Sequence, residues 1–211
     1  MHSTKLQHPF TCVIAGPTGC GKTQFVKKIL TQDVIEGTPE RIVYCYGEYQ
    51  PAFMELSAAL SNIRFVEGLP TDLETYLDPT YKTLMILDDI MTSHGNDQRI
   101  TDLFSKGSHH RNISVIYILQ NFFYGAKETR NITLNAHYIV LFKNPRDKTQ
   151  VSNLAKQMYP GQVKFMQEAF ADATKNPYGY LFIDLKPYTP EDFRLRTNIF
   201  PHETQYAYVP K

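Results

Sequence analysis

Gly16, Gly19 and Gly21, followed by Lys22 and Thr23, complete the pattern G-x-x-x-x-G-K-[ST] within GPTGCGKT, residues 16–23. Glycine tolerates backbone angles closed to residues with a Cβ, so such a loop can turn successive N–H groups inward onto phosphate oxygens. A helix beginning at Lys22 would aim its positive N-terminal end at the same anion. Lys22 would bridge the β- and γ-phosphates, and the Thr23 hydroxyl would ligate Mg²⁺. Gly16, Pro17, Thr18, Gly19, Cys20, Gly21, Lys22 and Thr23 together are therefore a candidate loop for ATP with Mg²⁺.

Asp88 and Asp89 close the apolar run TLMIL at 83–87. An acid at the carboxyl end of a core strand is placed to hold Mg²⁺ through water, the role expected of Asp88. Asp89 would sit nearer the γ-phosphate and orient or deprotonate the attacking water. A second polar strand end, Gln120 beside Asn121, closes ISVIYIL. On a strand inserted between the loop strand and the acid strand, Gln120 could sense the γ-phosphate or the water. Arg111, in SHHRNIS just before that strand, is the candidate cation for the γ-phosphate, with Arg99, Arg130 and Arg146 as rivals.

These residues need elements to hold them. FTCVIA (10–15) is expected as the strand entering the glycine loop, with a helix from Lys22 to about Leu30 behind it. RIVYCY (41–46), NIRFVEG (62–68), TLMILDD (83–89), ISVIYILQN (113–121), HYIVLF (137–142) and YGYLFIDL (178–185) read as further strands. Helical patterns lie between and after them: PAFMELSAAL (51–60), NDQRITDLFSKGS (96–108), RDKTQVSNLAKQMY (146–159) and QVKFMQEAFADAT (162–174). Near-continuous apolar strands separated by helices predict an α/β fold, a mostly parallel sheet covered on both faces. Residues 1–201 are read as one domain and 202–211 as a tail without periodic pattern.

With 211 residues, 42% of them apolar and 20% charged, the chain is sized for one soluble globular domain. A net charge of +1 announces no polyanionic partner, although bases outnumber acids locally between Lys127 and Lys164. That excess suits a nucleic-acid path or a solvated helix face equally. Cys12, Cys20 and Cys45 lack metal-ligand spacing and read as buried small residues of a reducing compartment. No apolar stretch reaches membrane-spanning length and the first residues do not read as a signal peptide, so an intracellular soluble protein is expected, with no membrane partner.

The segments HPFTCVIAGPTGCGKT, LMILDDI, HHRNISVIYILQNFF, YGYLFIDL and RLRTNIFP, taken in that order, resemble the genome-packaging ATPases of the FtsK–HerA superfamily. The resemblance is to the branch found in poxvirus-like large DNA viruses, adintoviruses and Polinton (Maverick) elements. It implies a P-loop (RecA/ASCE-like) domain that works as an ATP-driven motor threading double-stranded DNA into a preformed capsid. It also implies a homo-oligomeric ring, a pentamer or hexamer, in which an arginine of one subunit completes the next subunit's site. Capsid proteins would be its docking partners, in host cytoplasm or nucleus or in association with the virion. On this resemblance Asp88 and Asp89 are the acid pair, Gln120 the sensor and Arg111 the candidate finger. Many relatives carry Glu where this chain has Asp89, one methylene shorter. Two other readings stay open beside it: a P-loop nucleotide kinase, and an ATP-binding assembly protein without motor activity.

Overall fold

Five of the apolar runs become strands buried at every position: Thr11–Ala15 (β2), Thr83–Asp88 (β6), Ile113–Leu119 (β7), Tyr138–Phe142 (β8) and Tyr180–Asp184 (β9). Burial along a whole strand requires cover on both faces, and the alternation of side chains sorts each strand into two cores. On β2, Cys12 and Ile14 face one core while Val13 and Ala15 face the other. The first core lies under Lys22–Thr31 (α1), with Phe25, Val26 and Ile29, and Ala52–Ala59 (α2), with Phe53 and Leu56. The second lies under Thr149–Met158 (α5), with Val151 and Leu154, and Val163–Ala173 (α6), with Met166 and Ala169. The computed structural model describes residues 4–90, 98–107, 112–121 and 127–210, without the side chains of 106, 107 and 127–130.

With Arg41–Tyr46 (β4), Ile63–Glu67 (β5), Leu195–Thr197 (β10) and Tyr206–Tyr208 (β11), these strands form one nine-stranded sheet in the order β11-β10-β9-β8-β2-β7-β6-β4-β5. From β8 to β5 every pairing is parallel; β9, β10 and β11 extend the other edge antiparallel. A separate parallel pair joins Leu6–Gln7 (β1) to Ile35–Glu36 (β3). The expected insertion of the 113–121 strand is present, since β7 hydrogen-bonds to β2 on one side and β6 on the other. All six parallel strands consequently release their C-terminal loops on one rim.

Three segments differ from the sequence reading. The helix expected over 96–108 is described as a short α-helix, Gln98–Asp102 (α3), running into a π-helical turn at Leu103–Gly107. Lys127–Leu134 (α4) is a helix that the apolar pattern did not announce; Ile132 is buried while Leu134 stands exposed, too thin a stripe to register. Residues 202–211, read as a tail, place Tyr206–Tyr208 on β10, and the Tyr208 hydroxyl donates to Asp172 at 2.8 Å. A three-residue edge strand with one open face carries almost no alternation to read. Cys12 and Cys45 are buried as expected, and Cys20 is half-buried in the glycine loop. Among the described residues no helix is long and apolar enough to cross a membrane.

At the far end of the sheet from that rim, Arg196 is almost wholly buried and donates to Asp184 at 3.4 Å and to the Thr4 carbonyl. This buried pair ties β10 to β9 and to the start of the chain.

Candidate active site

The glycine loop begins where β2 stops. Gly16 N–H donates to the Leu119 carbonyl at 3.1 Å, so the loop leaves the sheet still tied to β7. A Cβ on Gly16 would lie 2.7 Å from both Cys20 Sγ and Phe142 Cβ, which excludes any larger residue. Gly19 and Gly21 hold φ of +79° and +106°, the left-handed region that glycine occupies at no steric cost. Phe25 N–H then donates to the Gly21 carbonyl and α1 is under way. The helix is pinned from its buried side, where the Phe25 ring meets Tyr180 at 4.7 Å, Phe200 at 5.1 Å and Phe142 at 5.8 Å, all edge-on. Edge-to-face aromatic pairs contribute about 0.5–1.5 kcal/mol each beyond their buried area, enough to fix where the helix N-terminus points.

Lys22 Nζ lies back across its own loop, donating to the carbonyls of Gly16 at 2.5 Å and Pro17 at 3.0 Å. Thr23 Oγ1 donates to Gln50 Oε1 at 3.0 Å. Two strands away, Asp88 ends β6 almost fully buried and accepts the Tyr44 hydroxyl at 2.8 Å. Burial pushes its carboxyl above the usual carboxylate range, and the negative charge of Asp89 pushes the same way. The Tyr44 hydrogen bond and the Lys22 charge oppose that rise. A buried acid with these opposing neighbours is stabilised as the anion by an added cation. Asp89 turns out of the strand with φ +52°, and its Oδ2 accepts Gln120 Nε2 at 2.8 Å. Gln120 and Asn121 part company here: Asn121 Oδ1 accepts Gln150 Nε2, while Gln120 enters the cleft.

The cleft holds about 600 Å³ and is lined by Gly19, Gly21, Lys22 and Thr23 on one side and by Asp88, Asp89 and Gln120 on the other. Residues that the motif reading did not name complete it. Glu48, Tyr49 and Gln50 follow β4 along its rim, and Tyr178 stands at the opposite end. Gly47 makes the approach of β4 to the acid pair possible: its N–H donates to the Asp88 carbonyl at 3.0 Å, and a Cβ there would lie 2.7 Å from the Asp89 carbonyl oxygen. The signal for this loop was GEYQP directly after an apolar strand, visible only once β4 is known to adjoin β6. Arg111 lies outside the described residues, as does the Arg130 side chain. Arg99 donates to the Pro70 carbonyl at 2.8 Å, and Arg146 is exposed.

A strand order with β7 between the loop strand and the acid strand, a lysine at the head of α1 and two acids at the end of β6 define a single arrangement. The chain has the fold of a P-loop ATPase. It superposes on the genome packaging NTPase B204 of Sulfolobus turreted icosahedral virus 2, in complex with ATP-gammaS, with a TM-score of 0.54 at 13% identity over 96% of this chain and 98% of that one. B204 of Sulfolobus turreted icosahedral virus gives a TM-score of 0.52 at 14% identity, over 97% and 99% of the two chains. The cytoplasmic domain of the Thermomonospora curvata type VII secretion ATPase EccC gives 0.52 at 10% identity, over 94% of this chain and 25% of that one. In sequence, 37 residues are 46% identical to Packaging protein 1 of Human adenovirus C serotype 5. That match covers 18% of this chain and 8% of the adenovirus protein's length. No family model matches the chain.

Proposed function

We propose that this chain is the ATP-hydrolysing subunit of a motor that drives double-stranded DNA into a viral capsid. The observation that carries the reading is the sheet order β2-β7-β6, which gathers Lys22, the acid pair and Gln120 around one cleft. The overlap with the B204 packaging NTPase along nearly the whole of both chains supports the packaging role over other P-loop chemistry. The FtsK–HerA resemblance supports the same choice.

In this reading ATP lies along the loop, and Lys22 exchanges the Gly16 and Pro17 carbonyls for phosphate oxygens. The Thr23 hydroxyl and the Asp88 carboxylate are hard oxygen groups that suit Mg²⁺ and would hold it, Thr23 directly and Asp88 through water. Among the described residues no group of three or more His, Cys, Asp or Glu forms an alternative metal site. Bound there, Mg²⁺ would neutralise charge on the phosphates. Asp89, oriented by Gln120, takes the proton of the water that attacks the γ-phosphorus as the bond to the β-phosphate oxygen breaks, leaving ADP and phosphate. The sheet domain, with its edge strand at 206–208, acts as one ATPase domain in a homo-oligomeric ring, and Arg111 supplies a cation to the neighbour's γ-phosphate. The exposed bases Lys143, Arg146, Lys148, Lys156 and Lys164 offer the DNA phosphates a sequence-independent path.

The test is ATP turnover measured with and without double-stranded DNA across a salt series. Stimulation by DNA that falls steeply as salt rises supports the motor. Turnover that needs a nucleoside or nucleotide acceptor would replace it with a kinase, and ATP binding without turnover with an assembly role.

A further inference from the structure

Tyr178 is the more exposed of the two tyrosines bordering the cleft, and no bonded, ionic or ring partner engages it among the described residues. The residue is 71% exposed, and its backbone sits at φ +63°, a region that a residue with a bulky side chain occupies only under constraint. The constraint is visible in the turn that carries it. Gly179 N–H donates to the Asn176 carbonyl at 3.1 Å, and a Cβ on Gly179 would come within 2.5 Å of the Ala173 carbonyl oxygen. The turn between α6 and β9 is therefore folded tightly onto the end of its helix. It delivers the ring edge against Gly21, where an added Cβ would meet Tyr178 Cδ1 at 3.1 Å. Tyr49, the other exposed tyrosine of the rim, is used differently: its ring packs edge-on against Tyr46 and Phe53.

Position along the sheet says what the free ring faces. β2 lies between β7 and β6, which carry Gln120 and the acids, and β8 and β9, whose ends carry Phe142 and the Tyr178 turn. A triphosphate with its γ end toward Asp89 and Gln120 must leave the loop by its α end on the β8 side. There a second depression of about 410 Å³ adjoins the first, sharing Gly19 and Tyr178 and walled by Cys20, Phe142, Lys143 and Asn176. An apolar floor, an aromatic ring at the mouth and amide and ammonium groups at the edge suit a flat, polar-rimmed heterocycle.

We propose that this depression is the base subsite, with Tyr178 as the stacking platform for the purine of the bound nucleotide. The inference rests on the reading that the loop binds a nucleoside triphosphate. Stacking makes Tyr178 a determinant of how tightly the base is held, separate from the groups that hold the phosphates.

The experiment is calorimetric titration of the full chain with MgATP and, separately, with magnesium tripolyphosphate, which carries the phosphates and no base. Tyr178→Ala is expected to weaken ATP about fivefold to a hundredfold, the span that alanine substitution of base-stacking aromatics produces, and to leave tripolyphosphate within about twofold. Tyr178→Phe, which keeps the ring, is expected to retain ATP affinity. Equal weakening of both ligands would mean that the ring merely supports the glycine loop, and unchanged ATP affinity in Tyr178→Ala would mean that the base lies elsewhere. Either outcome overturns the proposal, as does a loss of ATP affinity that vanishes when the two chains are compared as monomers in sedimentation-checked samples. Failure of the unsubstituted chain to bind either ligand would instead overturn the nucleotide reading beneath it.

Discussion

Tyr44→Phe removes one oxygen from the molecule and isolates one consequence. The Tyr44 hydroxyl donates at 2.8 Å to Asp88, which is only 5% exposed, so the substitution leaves a buried carboxylate short of a donor without changing the shape of the core. Hydrogen bonds to charged groups contribute about 1.5–3 kcal/mol, and an abandoned buried acceptor costs a similar amount. The sign with pH follows from the folded state. Burial, the largest influence, holds the Asp88 carboxyl above its unfolded range. In the window between the unfolded and folded values the native state binds more protons, so stability falls as pH rises through it. The ionised form is the one that needs Tyr44. The loss in Tyr44→Phe should therefore be full above the variant's folded value and fade as pH falls through the unsubstituted chain's folded value, which already lies above the ordinary carboxylate range. In a chain of this size about 1.5–3 kcal/mol corresponds to a fall in Tm of about 3–12 °C. Scanning calorimetry of both chains at several pH values from about 4 to 9 reads it directly. Turnover should move with it, the acid limb of the ATPase pH profile shifting upward because the Mg²⁺ ligand is harder to ionise. A stability deficit that is the same at both ends of the range, or an acid limb that shifts downward, would refute the reasoning.

Gln120→Ala frees Asp89 Oδ2 of its donor; steady-state kinetics should show kcat reduced about 10²- to 10³-fold with ATP affinity changed only a few-fold. Gly47→Ala sets a Cβ 2.7 Å from the Asp89 carbonyl oxygen, so denaturant unfolding should show a loss of about 1–3 kcal/mol together with lower turnover. Arg196→Ala leaves Asp184 buried without its guanidinium and should cost about 3–5 kcal/mol in urea unfolding, with the nucleotide site untouched in whatever fraction stays folded. For Arg111, mixing Arg111→Ala subunits with Lys22→Ala subunits should restore part of the turnover at mixed interfaces; no rescue at any ratio would assign the neighbour's cation to another residue.

How much of this was legible in the chain can be followed residue by residue. The loop at 16–23 declares itself because its chemistry is local: glycines, a lysine and a threonine must be consecutive for one turn to hold a phosphate. Asp88, Asp89 and Gln120 were legible for a related reason, each being a polar residue at the end of an apolar run, where a parallel sheet opens its ligand rim. The bond between Asp89 and Gln120 was implied but not contained there, since it depends on β6 lying beside β7. Tyr44 read as one more apolar strand residue of RIVYCY, and only its place on β4, next to β6, turns its hydroxyl onto Asp88. Gly47 follows the strand RIVYCY with nothing in the sequence to single it out, and only the close packing of two strand ends makes it indispensable.

Periodicity reports which face of an element is buried and says nothing of which element is its neighbour, because sequence pattern is a property of one segment and adjacency a property of two. The sequence by itself therefore determined the phosphate loop, the α/β class and the strand-end acids, all of which are written within about a dozen residues at a time. The tertiary structure alone decided the Tyr44 hydrogen bond, the Gly47 contact, the edge strand at 206–208 and the free ring of Tyr178 beside Gly21. Each of these joins segments that only the completed sheet brings together.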